Sequence, residues 1–191
     1  MECKLLGWPP DGPKLRLDHE RFSYAGKFVM TNTGKAVARD DARERAPIVA
    51  AVAFNEDRTD PETLWLRYVT VARDRRGEGI GPRLLAFVRD RAVERGYDRL
   101  RIAVNNPFAY EACYRTGFAY TGETTGIAEL ILEYEREADR GAGSDDGANR
   151  RRNRERYQAG LDEFRDRNLS AEEDGFLESR RGSDAPERVD R

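Results

Sequence analysis

The stretch LWLRYVTVARDRRGEGIGPRLLAFVRDRAVERG, Leu64 to Gly96, decides the fold. Leu64 to Val71 reads as a strand, dense in β-branched and aromatic residues. From Gly79 to Arg95 the period changes: Ile80, Leu84, Leu85, Val88 and Ala92 recur at helical spacing, and Gly96 supplies the left-handed cap. Pro82 suits the first helical turn, where a missing N–H has no intrahelical acceptor to lose. Between strand and helix lies Arg75-Arg-Gly-Glu-Gly-Ile-Gly81. Glycines in such a turn let backbone N–H groups converge on an anion, and the helix dipole adds positive potential at the same point. The segment reads as a phosphate cradle, with a ligand-free strand-to-helix turn as the other reading of the glycines. It is no nucleotide P-loop, because no Gly-Lys-Ser/Thr follows, and the three-glycine spacing of the dinucleotide fingerprint is absent.

Working outward, Pro47 to Asn55 (PIVAAVAFN) is an apolar run separated from Leu64 to Val71 by the turn-rich NEDRTDPE. The two read as adjacent antiparallel strands. Downstream, Arg99 to Val104 alternates as a strand, and Phe108 to Thr116 is a short helix introduced by Asn106-Pro107 and stopped by Gly117. Phe118 to Tyr120 and Ile127 to Tyr134 close the domain as an antiparallel pair around the turn GETTG. Upstream, Asp18 can cap a helix that turns Phe22, Ala25 and Val29 inward before a strand from Lys35 to Arg39; a hairpin around Asn32-Thr33-Gly34 competes with it. Alternating strands and helices give a mixed α/β domain.

A chain of 191 residues, 38% hydrophobic and 37% charged, suffices for one core of ordinary size. Its longest apolar runs fall far short of the ~20 residues that span a bilayer, and the N-terminal stretch lacks a signal-cleavage pattern. A soluble cytoplasmic protein with no membrane partner is expected. Cys3 and Cys113 are the only cysteines and His19 the only histidine. That excludes a disulfide scaffold and a soft-ligand zinc site, and leaves a Ser/His/Asp triad without a nucleophile elbow. No metal is expected. The net charge of -2 offers no bulk field for nucleic acid.

Taken together, Arg76-x-x-Gly79-x-Gly81 after YVTVARDRR, with NNPFAYEACYRTGF downstream, resembles the signature of the GNAT superfamily of N-acetyltransferases, Gln/Arg-x-x-Gly-x-Gly/Ala after a strand. The likeness covers about Ile48 to Tyr134. It implies the acyl-CoA N-acyltransferase fold, a splayed sheet flanked by helices, with acetyl-CoA as acyl donor. Its pyrophosphate would sit on the amides of Arg76, Gly77, Glu78, Gly79, Ile80 and Gly81, and its pantetheine arm would pair with the backbone of Val69, Thr70 and Val71. Asn106 matches an asparagine that meets the pantetheine arm, or it simply caps the helix.

The implied reaction is direct attack of a neutral amine on the thioester carbonyl, with a backbone amide near Val69 to Val71 polarising the oxyanion. The family's general acid is a tyrosine four residues before the Gly-Phe that ends the short helix. Here that place holds Cys113, a small buried filler rather than a nucleophile. Tyr114, one residue on, takes the role in this reading, with Tyr110 one turn earlier; alternatively Tyr114 packs and no protein acid is needed. No general base stands out among Glu62, Glu123 and Glu129.

Composition shifts near Glu135, which divides the chain into a domain over 1–136, a linker over 137–149 and a charged extension over 150–191. In the extension Tyr157, Leu161 and Phe164 share a helical stripe, and Ser170-Ala-Glu-Glu173 forms a capping box before Phe176 and Leu177. Two short helices or a disordered tail fit this pattern. The stripes need the domain, a second copy in a homodimer or a partner to cover them, and cofactor binding is expected without them. The arginines from Arg150 to Arg156 read as a solvated face. The function classes are an N-acetyltransferase acting on a small-molecule or protein amine, a non-catalytic acyl-CoA sensor, and an interaction module.

Overall fold

The chain begins with a strand that its sequence does not announce. β1, Glu2–Gly7, has only Leu5 and Leu6 as an apolar pair and stays half exposed. It pairs antiparallel with β2, Gly34–Arg39, placing Glu2 opposite Arg39 and Gly7 opposite Lys35. The protein is described here from a computed structural model, covering residues 1–42, 47–134 and 146–189. Within it the chain divides into two compact units, one holding Met1–Leu100 and Val189, the other Arg101–Arg188.

In the first unit, β3, Ile48–Glu56, and β4, Thr63–Val71, are the expected antiparallel neighbours, and the order is β1-β2-β3-β4. β3 is buried from Val49 to Phe54, so both of its faces are covered, which is why its sequence is continuously apolar rather than alternating. The helix α1, Ile80–Arg95, packs on this sheet through Ile80, Leu84, Leu85, Val88 and Ala92, and ends at Gly96, whose φ of 100° is the left-handed cap. On residues 18–29 the structure corrects the expectation. The Asp18 carbonyl accepts from the N–H groups of Arg21 and Phe22 and its side chain from that of Glu20, a local turn, and the helix is a short 3₁₀ turn, Ala25–Val29. Phe22, Ala25 and Phe28 are buried, whereas Val29 is exposed. A 3₁₀ turn repeats every three residues, so Phe28 takes the inward place that an α-helix would give Val29.

The second unit carries most of β5, Arg99–Val104, and the helix α2, Pro107–Tyr114. It also holds β6, Phe118–Thr124, and β7, Leu130–Tyr134. β7 lies between β5 and β6, antiparallel to both. The β6–β7 turn sits later than expected, at Thr125–Glu129, because the register slips after Tyr120 and Gly122 adopts a φ of 87° inside the strand.

The C-terminal segment belongs to this same unit and is helical. α3, Asp146–Arg165, is longer than the stripe suggested, and α4, Ala171–Ser179, starts at the Ser170–Glu173 capping box, closed in both directions. α3 packs on β6 and α4 on α2, with Tyr157, Leu161, Phe164 and Leu177 fully buried. The linker positions up to Asp145 lie outside the described residues. Among the described residues no helix is long and apolar enough to cross a membrane.

Candidate functional site

At the end of β4 the chain makes one 3₁₀ turn, Arg73–Arg75, and then passes Gly77 and Gly79 with φ of 82° and 74°. A side chain in this left-handed region costs about 1–2 kcal/mol, so both positions call for glycine. No atom lies within 4 Å of where a Cβ would stand at either residue, so the backbone there faces open space. Gly81 is different: it is already helical, and a Cβ there would make an ordinary contact with Val71 Cγ2 at 3.4 Å. Gly79 is the N-cap of α1 and offers no side-chain acceptor. The first-turn N–H groups are therefore left to the positive end of the helix dipole and to whatever anion approaches.

Charges around the turn are arranged by residues distant in sequence. Arg75 Nε donates to both oxygens of Glu78, at 2.8 and 2.9 Å, and its Nη1 donates to Asp40 at 2.8 Å. The bond from Arg75 holds the Glu78 carboxyl below the usual carboxylate range, and the bonds to Glu78 and then Asp40 raise the Arg75 guanidinium above its own. One guanidinium thus serves both Glu78 and Asp40, while Asp74 pairs with Arg21 at 3.8 Å, and Arg73 and Arg76 are the turn's further positive charges. Arg76 Nη2 donates to Ser23 Oγ at 3.0 Å. Ser23 and Asp40 went unnoticed in the sequence; they stand 53 and 35 residues from their partners, and no local pattern marks them.

Along β4, Val69, Thr70 and Val71 face Val52, Ala51 and Ala50 of β3, and the register slips just before them, leaving Arg67 as an extra residue. Such a bulge bends the strand and increases its twist. Thr70 is 4% exposed, and its Oγ1 has no hydrogen-bond partner among the described residues. Val69 to Gly81 therefore lie together as strand, turn and helix start in the first unit.

Asn106 and Tyr114 are in the second unit, at opposite ends of α2. Asn106 caps the helix: its Oδ1 accepts from the Ala109 N–H at 2.9 Å, while its Nδ2 donates to Asn105 Oδ1 at 3.1 Å. Tyr114 is 4% exposed and lies in an aromatic cluster with Tyr110 and Tyr157. Its hydroxyl accepts from the Tyr120 N–H at 3.0 Å and lies 3.4 Å from the Tyr110 hydroxyl. Cys113 is buried, and burial pushes its thiol up to about 12, so at neutral pH it is an uncharged filler. Of the carboxylates considered as bases, Glu62 and Glu123 are exposed and Glu129 accepts from the Thr125 hydroxyl at 3.4 Å.

β4 thus runs through a glycine-lined turn into a helix start without a side-chain cap. Residues 3–118, more than half of the chain, match the model of the acetyltransferase (GNAT) family, and the chain belongs to that family. Among solved structures it is similar to an IAA acetyltransferase from Bacillus cereus ATCC 14579, 19% identical over 71% of this chain and 99% of that one, with a TM-score of 0.50. It is also similar to nourseothricin acetyltransferase, 24% identical over 53% of this chain and 64% of that one, TM-score 0.46. A ribosomal-protein-alanine N-acetyltransferase from Brucella melitensis is 20% identical over 55% and 69%, TM-score 0.46. The chain thus spans less than two thirds of nourseothricin acetyltransferase, and the likeness to the Bacillus cereus protein, at 19% identity, speaks to the fold alone. A search of curated proteins gives no match.

Proposed function

We propose that the chain is an acyl-CoA-dependent N-acetyltransferase, moving the acetyl group of acetyl-CoA to a primary amine by direct attack in a ternary complex. The observation that carries this reading is the pair of left-handed glycines with open space over them, leading into an uncapped helix start. A diphosphate fits such a backbone surface, and any side chain at Gly77 or Gly79 would stand in its way. Family membership supplies the reaction class. The neutral amine nitrogen forms the new C–N bond, the C–S bond breaks, and the amine's surplus proton passes to solvent. A backbone N–H of Val69 to Val71 would hold the developing oxyanion.

For the proton on the leaving thiolate, the surroundings of Tyr114 favour water over a side chain. A hydroxyl almost wholly covered and already accepting from the Tyr120 N–H acts first as a packing anchor. A thiolate with a pKa near ~8.5 leaves without a strong acid. The same displaced tyrosine supports a second reading, a sensor that binds acetyl-CoA without turnover. Calorimetry with acetyl-CoA and a thiol-release assay over an amine panel test both readings. Binding with turnover supports the enzyme, binding without turnover supports the sensor, and absence of binding removes both.

A further inference from the structure

We propose that the cleft formed by residues 19–27 and Arg73 is an anion-binding subsite, which takes a carboxylate or phosphate group carried by the amine acceptor. The inference rests on the acyl-transfer reading and names the acceptor's class. The cleft, about 430 Å³, is lined by His19, Ser23, Tyr24, Lys27 and Arg73 over a floor that includes Phe22, and no carboxylate is among its lining residues. Of the acids nearby, Glu20 is exposed and is not part of the lining. Asp74 pairs with Arg21 at 3.8 Å, and Asp18 Oδ1 accepts the Glu20 N–H at 2.9 Å. Lys27 and Arg73 therefore set the sign of the cleft, with the Ser23 hydroxyl as a further polar group.

Position connects this cleft to the reacting strand. Tyr24 lies tilted against Tyr68 with ring centroids 6.0 Å apart, and the Lys27 ammonium lies 5.9 Å from the same ring. Tyr68 directly precedes Val69, and strand alternation puts Thr70, with its unpartnered buried hydroxyl, on the same face. A ligand whose amine lies at Val69 to Val71 and whose body crosses Tyr68 brings its far end to Lys27. Tyr24 holds a φ of 60°, a conformation seldom adopted by a residue with a side chain, and this bend forms the wall of the cleft. The segment is also fastened to the glycine turn: the Arg73 N–H donates to the Arg21 carbonyl at 3.0 Å, and Arg76 donates to Ser23.

The ribose phosphate of CoA offers the same chemistry, and the test separates the two sources. The full-length chain and its Lys27→Glu variant, an exposed position outside the glycine turn, are assayed with α-amino acids, their amides and the matching decarboxylated amines. The variant should raise KM for the carboxylate-bearing amines by roughly 10–100-fold, the loss of charge-assisted bonds, and change KM for the others little. Acetyl-CoA affinity should hold. Equal KM changes across the panel, or a wild-type preference for uncharged amines, overturn the proposal. Weakened binding of acetyl-CoA with unchanged binding of its 3′-dephospho form assigns the anion to the cofactor and overturns the acceptor claim. If no amine is turned over at all, the acyl-transfer reading fails by itself. Calorimetry with inorganic phosphate then decides the cleft: binding lost in the variant supports it, and no binding to wild type overturns it.

Discussion

Arg180, at the end of α4, grips Glu111 on α2 with both prongs of its guanidinium, Nε to Oε2 at 2.7 Å and Nη2 to Oε1 at 3.1 Å. Tyr157 of α3 donates to the same carboxylate at 3.0 Å, and so does Arg115. One buried acid therefore ties α2 to both C-terminal helices. Burial pushes the Glu111 carboxyl up, but the bonds from Arg180, Arg115 and Tyr157 together hold it below the usual range. With the folded pKa depressed, the stabilisation is complete above the unfolded value of about 4.3 and fades as pH falls through the folded value. The melting-temperature gap between wild type and Glu111→Gln should accordingly be widest above pH ~5 and close in strong acid. Arg180→Ala should cost about 1–3 kcal/mol by denaturant titration at neutral pH, since Glu111 then stays buried without its main partner. A gap that grows on acidification contradicts this account.

Gly160→Ala sets two effects against each other. Alanine gains about 1 kcal/mol of helix propensity over glycine. Its Cβ, however, would stand 2.0 Å from the Tyr110 hydroxyl, and Tyr110 is fully buried. Overpacking costs about 1–3 kcal/mol, and the Tyr110 bond to the Tyr157 carbonyl at 3.1 Å is lost with it. The variant should melt lower than wild type; a higher midpoint would show that the ring can move aside.

A chain ending at Asp145 loses Tyr157, Leu161 and Phe164, each fully buried, and uncovers Tyr110. At about 1.5–3 kcal/mol per buried side chain, the loss approaches the whole stability of an ordinary domain. Calorimetric melting of the truncated chain should show no sharp transition for the second unit. A cooperative transition close to that of the full chain would restore the dispensable tail read from the sequence.

Gly79→Val introduces a β-branched side chain at a φ of 74° and fills the open space over the turn. The strain of about 1–2 kcal/mol leaves the chain folded. Acetyl-CoA affinity should fall by at least about tenfold, because the Cβ blocks the backbone approach. Unchanged calorimetric affinity in the folded variant would move the cofactor elsewhere.

Tyr114→Phe removes the oxygen that accepts the Tyr120 N–H. A stability loss of about 1 kcal/mol is expected. Thiol release should stay within about threefold of wild type. A loss of roughly 10–1000-fold at unchanged acetyl-CoA affinity would give the acid role back to Tyr114.

Legibility followed the range of the interactions. β5 agrees with its sequence reading at both ends, and α1 starts one residue late, because alternation, helical spacing and the Gly96 cap are local signals. β1 was missed because its order comes from the β2 backbone rather than from its own side chains. The helix expected at residues 18–29 gave way to a 3₁₀ turn because packing of Phe22 and Phe28 outweighed the Asp18 cap. At the site, Gly77 and Gly79 were legible through their type, whereas the grip of Asp40 on Arg75 and of Ser23 on Arg76 was not.

By itself the sequence determined the strand, the glycine turn, the helix and the order of elements from Ile48 to Tyr134, because backbone conformation and hydrophobic period are written in neighbouring residues. Only the tertiary structure decided what the C-terminal helices cover and where the tyrosines turn. Glu111 and Arg180 are 69 residues apart, and the slot that Gly160 opens for Tyr110 exists only once α3 is laid against α2. Burial and ion pairing depend on which faces meet in space, and that information is distributed over the whole chain.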